Sequence, residues 1–538
     1  MKKHIITIAC VYLVLQGLYS CNKKFLDEEL YSYYAPETLT DSLGFDAAAI
    51  GLYYQTGLFF SKSDAQGWPS VWNAGTDIAW VPPTQKQGIE VPYYDYTQLI
   101  STDGAASFTW TWAYQLINNA NNIIANAENP AVTSFSEAGK NVFNAEARFF
   151  RAYAYNMLAT LFGRVPLVTE PLTKPRTNFT RSPLDSINDV IAADLTYAAT
   201  YLPTIDNLKS NSKGKLYGRA NKAMAQQLLA EAYLRMGKND LAEAQAQAVI
   251  SSGKFNLVTS RYGVKTSQPG DAFSDMFVYG NMRYGQGNKE AIWVLELENT
   301  STVVGGYSGA PQQRRNWGAA YYQITDMTIC DSLGGRGIGR MRLTDWVVYG
   351  LYGANDMRNS ENNIRHRFYY NTVGKPNYGQ QVPYAGADTV FKIAPHTTKW
   401  YQFDPNDVFG FAMVKDFILM RLGETYLLLA EAQFKQGKTG EAATTLNTLR
   451  ARANAAPISA ADVTLDFILD ERARELLAEE NRRMTLMRTK TLVTRTTKYN
   501  TQNINPVIGL TSKHLLLPVP QSEIDLNKDA RLEQNELY

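Results

Sequence analysis

Apolar residues recur at helical spacing along most of the chain, and the pattern fades in one long stretch. Between Ser107 and Asn126, Phe108, Trp112, Ile117, Ala120 and Ile124 fall near one face, the spacing of an amphipathic helix. Ala145 to Phe162 predicts a second helix carrying Phe149, Tyr153, Leu158 and Phe162, with Gly163 and Pro166 to stop it. Pro183 to Tyr201 predicts a third. Ala220 to Met236 and Asp240 to Ser251 predict a helical hairpin broken at Gly237.

The hairpin has a second copy. Leu228-Leu229-Ala230-Glu231-Ala232 runs on to Gly237-Lys238, and Leu428-Leu429-Ala430-Glu431-Ala432 runs on to Gly437-Lys438, at an offset of 428 − 228 = 200 residues. An alanine-rich helix follows each, at Leu241–Ile250 and Thr439–Arg452. Small residues at helical spacing let two helices approach closely, as in tetratricopeptide hairpins. The copies do not form a continuous array of ~34-residue units, so the pattern predicts hairpins scattered in sequence and gathered in space. The competing reading is a chance match between alanine-rich helices.

Residues 255–415 differ. Gly, Tyr, Asn and Pro rise there, and helical period is lost. Ile292 to Leu297 reads as a short strand and the rest as irregular loop. Long loops inside a compact domain are usually functional or disordered, and this aromatic content argues against disorder.

The ends add a location. Met1-Lys2-Lys3 is a basic head, and Ile5 to Leu15 is an apolar stretch of eleven residues, about half of the ~20 that span a bilayer. That combination reads as a secretion signal. It closes on Leu18-Tyr19-Ser20-Cys21, which looks like a bacterial lipobox, with cleavage before Cys21 and lipid on its thiol. An ordinary signal with a chance cysteine is the alternative. Residues 22–36 read as a polar tether ending at Pro36. Cys10 leaves with the signal, so a lipidated Cys21 leaves Cys330 without a disulfide partner, and a buried thiol is expected there.

Charge narrows the ligand. The chain holds 53 basic and 51 acidic residues, and losing Lys2 and Lys3 with the signal gives 51 − 51 = 0. Nucleic-acid binders usually carry a basic excess, so no nucleic-acid partner is expected and a neutral ligand fits. Catalysis finds little support. His366, His396 and His514 lie far apart with no metal-type spacing, so neither metal nor cofactor is expected. Gly306-Tyr307-Ser308-Gly309-Ala310 misses the nucleophile-elbow pattern by one residue. Gly334-Gly335-Arg336-Gly337-Ile338-Gly339 lacks the Lys-Ser/Thr of a phosphate loop.

Several segments in order carry a family likeness. They are Phe25-Leu26-Asp27; Tyr114, Ile117, Ala120 and Asn121; Glu146 to Tyr153 running on to Phe162-Gly163-Arg164-Val165-Pro166-Leu167-Val168; Glu471-Arg472, Glu475-Leu476, Glu479 and Arg482; and Leu517-Pro518-Val519-Pro520 with Glu523-Ile524, Asn527, Gln534-Asn535 and Tyr538. Through them the chain resembles the SusD-like (RagB/SusD) outer-membrane lipoproteins of Bacteroidetes. Glu480 and Thr485 depart from a common Gly and Asp, and Glu536-Leu537-Tyr538 from a common Pro-Gly-Tyr.

The resemblance implies a mostly helical fold, with tetratricopeptide-like hairpins as scaffold, a loop-rich ligand-binding face and a few short strands. It implies one long helix holding Glu471 to Arg482. It implies a non-enzymatic surface protein that captures oligosaccharide and sits as a lid on a SusC-like TonB-dependent outer-membrane transporter. A peptide-binding lid and a surface glycoside hydrolase are the alternatives. The chain then divides into a signal peptide (1–20), a lipidated tether (21–36), an N-terminal helical region (37–254) and a C-terminal region (255–538), with long loops over 255–415 and closing helices.

A sugar offers an apolar C–H face for an aromatic ring and a rim of hydroxyls for polar side chains. Two segments mix these groups outside regular structure, Trp68–Trp80 and Gly305–Tyr322, and in the family loops near these points line the binding face. The expected ligand-binding residues are Trp72, Asp77, Trp80, Arg314, Asn316, Trp317 and Tyr321, with Trp317 as stacking platform. Trp110, Trp112 and Trp293 are expected in the core.

Overall fold

The computed structural model describes residues 39–61, 68–83, 88–298, 311–411 and 413–538. The signal, Cys21, the tether and Gly305–Ala310 lie outside them. The principal helices are α1 (Ser42–Ser61), α2 (Gly104–Ala127), α3 (Glu137–Phe162), α4 (Leu184–Tyr201), α5 (Lys222–Met236), α6 (Asn239–Ser251), α7 (Leu422–Lys435), α8 (Thr439–Arg452), α9 (Leu465–Glu475), α10 (Arg482–Arg488) and α11 (Leu492–Tyr499). Each helix expected from periodicity is present. Side-chain caps set where some begin. Asp103 accepts the Ala106 N–H at 2.7 Å to start α2. Ser136 accepts the Gly139 N–H at 3.2 Å, which starts α3 at Glu137, well ahead of Ala145.

The 26-residue α3 is the axis of the N-terminal half, packed between α2 and α4. Phe149, Phe150 and Tyr153 hold Trp293 edge-on at centroid distances of 5.3, 6.1 and 5.2 Å. Trp110 and Trp112 share that core, as expected. It draws residues from Leu39 to Leu532, so both halves of the chain build one interior.

The repeat is structural. Gly237 and Gly437 take φ of 75° and 78°, the left-handed region that glycine enters without penalty. Each ends its helix with the same pair of bonds, Lys238 N–H to Tyr233 O (2.9 Å) with Gly237 N–H to Leu234 O (3.3 Å), and Lys438 N–H to Gln433 O (3.0 Å) with Gly437 N–H to Phe434 O (2.9 Å). These are Schellman motifs. The two hairpins pack on each other, with Ala230, Leu234, Ala242 and Ala246 meeting Leu428, Leu429 and Ala432 in one apolar cluster. Among the described residues, no helix is long and apolar enough to cross a membrane.

Residues 255–415 are loop-rich, as expected. Ala291–Leu295 pairs antiparallel with Phe417–Arg421 across a register shift. Two-residue ladders join Ala79–Trp80 to Arg342–Leu343 and Ile364–Arg365 to His396–Thr397.

Two expectations need correction. Glu471 to Arg482 do not share one helix, because α9 ends at Glu475 and α10 begins at Arg482. The Glu475 carbonyl is taken by Arg421 (2.7 Å) and Lys399 (3.0 Å), and Ala478 swings to φ 61° with its carbonyl held by Trp400 Nε1 at 3.1 Å. Side-chain donors thus replace the next helical turn. Cys330 is half-buried rather than buried, with its Sγ 3.3 Å from both Ser332 Oγ and Asn371 Nδ2.

Candidate functional site

The two segments singled out for ligand binding do converge. Trp317 packs in one apolar cluster with Ala74, Ile78 and Ala79, and the short helix Gln313–Trp317 contacts the short helix Trp68–Val71. Their rings do not face outward. Trp72, Trp80 and Trp317 are each 2 % exposed. Trp72 stacks on Phe59 at 5.9 Å and 13°. Trp80 lies under the Arg342 guanidinium at 5.5 Å. Trp317 lines a cavity of about 150 Å³ with Trp72, Trp400 and Phe417.

The polar residues of the set are also buried and engaged. Asp77 is gripped by Arg482 Nη2 at 2.6 Å and Arg495 Nε at 2.8 Å. Burial alone would raise its carboxyl, but the two guanidiniums outweigh burial and hold it below its ordinary range. Arg314 donates to the carbonyls of Gln402 (3.0 Å) and Gly410 (2.7 Å). The Asn316 carbonyl accepts the Met341 N–H at 2.8 Å. The Tyr321 hydroxyl donates to Gly335 O at 2.9 Å and accepts the Cys330 N–H at 3.1 Å. All seven residues are buried, and two of them, Trp72 and Trp317, line that cavity.

What they support is a glycine-rich strap. Ile338, Gly339 and Met341 N–H donate to the carbonyls of Arg315 (3.1 Å), Gly318 (2.7 Å) and Asn316 (2.8 Å). A Cβ on Gly337 would sit 2.3 Å from the Gly318 carbonyl, so only glycine lets the backbones lie this close. The run Gly334 to Gly339 therefore serves backbone packing.

The strap carries two surface features. Arg342, just beyond it, donates to the Tyr384 hydroxyl at 3.4 Å, and that oxygen lies 3.4 Å from the Tyr349 hydroxyl. These tyrosines, 65 % and 43 % exposed for Tyr349 and Tyr384, open onto a cavity of about 190 Å³ lined also by His366, Arg367, Gln381 and Phe368. Among the described residues, none lining it is an Asp or Glu. Burial, then the bond to Tyr349, push the Tyr384 phenol up to about 12, so it keeps its proton at neutral pH. Burial holds His366 below its ordinary range, leaving a neutral imidazole bonded to Asn359 Oδ1 at 3.0 Å.

At the other end of the strap, Arg336 lies 5.9 and 5.6 Å from the rings of Phe409 and Phe411, which are 63 % and 64 % exposed. Tyr322 meets Phe409 edge-on at 6.4 Å. One small apolar cluster underlies both features. It joins Ala319 and Tyr321 to Phe368, Val382 and Ile393, with Tyr322 packed against it. Sequence reading passed over these exposed aromatics because it followed tryptophan. The legible signal was Phe409-Gly410-Phe411 behind Asp404-Pro405-Asn406-Asp407, two apolar rings in a turn-forming run with no helical or strand period.

Of the acids lining the 150 Å³ cavity, Glu231 accepts from Asn156 Nδ2 at 3.1 Å and the other three are bound to cations. Glu424 and Glu480, which line the 150 Å³ cavity, both pair with Arg472, at 2.8 and 2.7 Å. Glu479 pairs with Arg421 at 2.8 Å and with Lys399. Among the described residues, no group of three or more His, Cys, Asp and Glu side chains is placed to hold a metal ion.

Comparison with known proteins matches this architecture to one family. Residues 289–538 match a family model described as the SusD family, and residues 70–234 match one described as starch-binding, associating with the outer membrane. A SusD-like protein of Formosa agariphila is 24 % identical over 97 % of this chain and 96 % of its own length. The starch-binding protein SusD of Bacteroides thetaiotaomicron is 26 % identical over 73 % of this chain and 72 % of its own. A laminarin-binding SusD-like protein superposes with a TM-score of 0.68 at 21 % identity, covering 93 % of this chain and 100 % of the other. Surface glycan-binding protein A of Bacteroides thetaiotaomicron, in complex with laminarihexaose, superposes with a TM-score of 0.68 at 19 % identity, covering 92 % and 100 %.

Proposed function

Because the chain belongs to the SusD-like (RagB/SusD) family, we propose that it is a lipid-anchored surface protein that binds oligosaccharide without cleaving it and passes it to a SusC-like TonB-dependent transporter in the outer membrane. The names of its relatives support the ligand class, since they include a starch-binding protein, a laminarin-binding protein and a complex with laminarihexaose. The description "associating with outer membrane" supports the location. Cys21 is the anchor in this reading, and the transporter is the partner the family resemblance implies.

The observation that carries the reading is the tyrosine-lined cavity. Tyr349 and Tyr384 offer partly exposed rings, while Gln381, Arg367 and neutral His366 offer hydrogen-bonding groups around them. A stacking face with a polar rim is what a sugar ring needs. A carboxylate-free lining supplies neither the acid nor the nucleophile of a glycosidase.

The test is a glycan array with product analysis, followed by titration of the double variant Tyr349→Ala, Tyr384→Ala. We expect binding with no new reducing ends. The double variant should bind roughly ten- to a hundredfold more weakly, with an unchanged melting temperature because both rings are partly exposed. Cleavage would move the protein to the hydrolases. Binding only to peptides, or no loss in the double variant, would overturn the assignment of this site.

A further inference from the structure

The whole-chain charge is nearly balanced, yet the strap gathers positive charge. Arg314, Arg315, Arg336 and Arg340 lie on either side of the contact between the Gln313–Trp317 helix and the strap. Arg315 Nη1 and Arg340 Nη1 converge on one neutral acceptor, Gln312 Oε1, at 2.8 and 3.3 Å. Arg315 stacks over Phe411 at 4.3 Å. It is 5 % exposed, and its Nε has no hydrogen-bond partner. Arg336 donates to the Phe409 carbonyl at 2.6 Å and lies 3.5 Å from the Tyr322 hydroxyl. Among the described residues, neither Arg315 nor Arg336 has a carboxylate within 4.0 Å. Asp407 and Asp404 act on Arg314.

A buried guanidinium is ordinarily paired. Here burial, and then repulsion from Arg340, Arg336 and Arg314, pull Arg315 down to about 10. A bound anion would relieve that repulsion and meet the fork geometry arginine offers to planar or tetrahedral oxyanions. The flanking rings of Phe409 and Phe411 would meanwhile take an apolar sugar face.

We propose that the pad formed by Arg315, Arg336, Phe409 and Phe411 binds the oxyanion of an acidic sugar, so that the captured glycan carries carboxylate or sulfate groups. This rests on the glycan-binding reading above and adds its substrate class. It departs from the neutral ligand suggested by whole-chain charge, because charge summed over the whole sequence hides a local excess.

The experiment titrates the intact protein with three size-matched oligosaccharide sets, one neutral, one containing uronic acid and one sulfated, at low and moderate salt. The proposal expects an acidic set to bind at least tenfold more tightly than the neutral one, with the advantage shrinking as salt screens the charges. The uronic and sulfated arms identify which oxyanion is taken. Arg336 is half-buried, so Arg336→Gln should lose roughly ten- to a hundredfold for the acidic set with an unchanged melt. Arg336→Lys should recover part of that loss by restoring charge without the fork. Equal affinity for all three sets, or an Arg336→Gln variant that still prefers the acidic set, would overturn the pad while leaving glycan binding intact. Binding to none of the sets would overturn both.

Discussion

Asp77 shows why chemistry read from side-chain type misleads at single positions. An Asp among tryptophans outside a helix suggests a sugar-binding loop, yet its oxygens meet Arg482 and Arg495, more than four hundred residues away in sequence. Nothing local announces those partners. Removing the carboxylate takes a shared partner from two buried guanidiniums, leaving Glu480 to Arg482 and Asp466 and Asp470 to Arg495, so Asp77→Ala should cost up to about 3–5 kcal/mol and lower the melting temperature without touching a ligand. Trp317→Ala should likewise cost about 3–5 kcal/mol by emptying a core site. An unchanged melt for Trp317→Ala, together with lost glycan binding, would restore the platform role. What was legible at this scale was the pairing of segments. The stretches around Trp72 and Trp317 were singled out together, on their composition and on the family resemblance, and they meet. Which rings stay in water was not legible, because tryptophan has the composition of a platform and of a core alike.

At the scale of elements, helices were legible wherever a repeating stripe was required by packing, as in α2, α3 and the two hairpins. Their ends were legible where a glycine enforced them, at Gly237 and Gly437. The break between α9 and α10 was not, because the donors that end α9 come from Arg421 and Lys399. Two alanines of the hairpins make a sharp prediction. Ala432 lies in the cluster between the hairpins and Ala232 in the main core, both fully buried, so Ala232→Trp or Ala432→Trp should destabilise by about 1–3 kcal/mol through overpacking. Thermal melts check this, and a melt that does not move would mean the hairpins yield at no cost.

Across the whole molecule, a buried charge network holds the loop-rich part against the hairpins. Glu475 meets Arg421 (2.6 Å), Arg358 (3.0 Å) and Arg452; Glu471 meets Arg358 (2.8 Å) and Arg450 (2.7 Å); Glu290 meets Arg421 (3.3 Å) and Arg452. Burial alone would raise the Glu471 and Glu475 carboxyls. The guanidiniums outweigh it, bringing Glu471 down to about 2 and holding Glu475 far below the ordinary range. A carboxyl depressed in the folded state contributes its full stability above the unfolded pKa of ~4.3 and loses it as pH falls toward the folded value. The melting temperature should therefore be flat on this account above about pH 5 and drop steeply from about pH 4 toward pH 2. A melt flat to pH 2 would show that the network contributes nothing. The class of fold was legible at this scale because helical period dominates the chain. The network was not, because its members come from five separated segments.

The two hairpins that pack on each other are separated by 200 residues, and that spacing has a consequence in time. At a synthesis rate of roughly 5–20 residues per second, the earlier hairpin is complete some 10–40 seconds before its mate exists. Until then Ala230, Leu234, Ala242 and Ala246 face water with nothing to cover them. Closing that gap joins distant parts of the chain, a slow step in folding, and the interval is when a helper that shields apolar surface has something to hold.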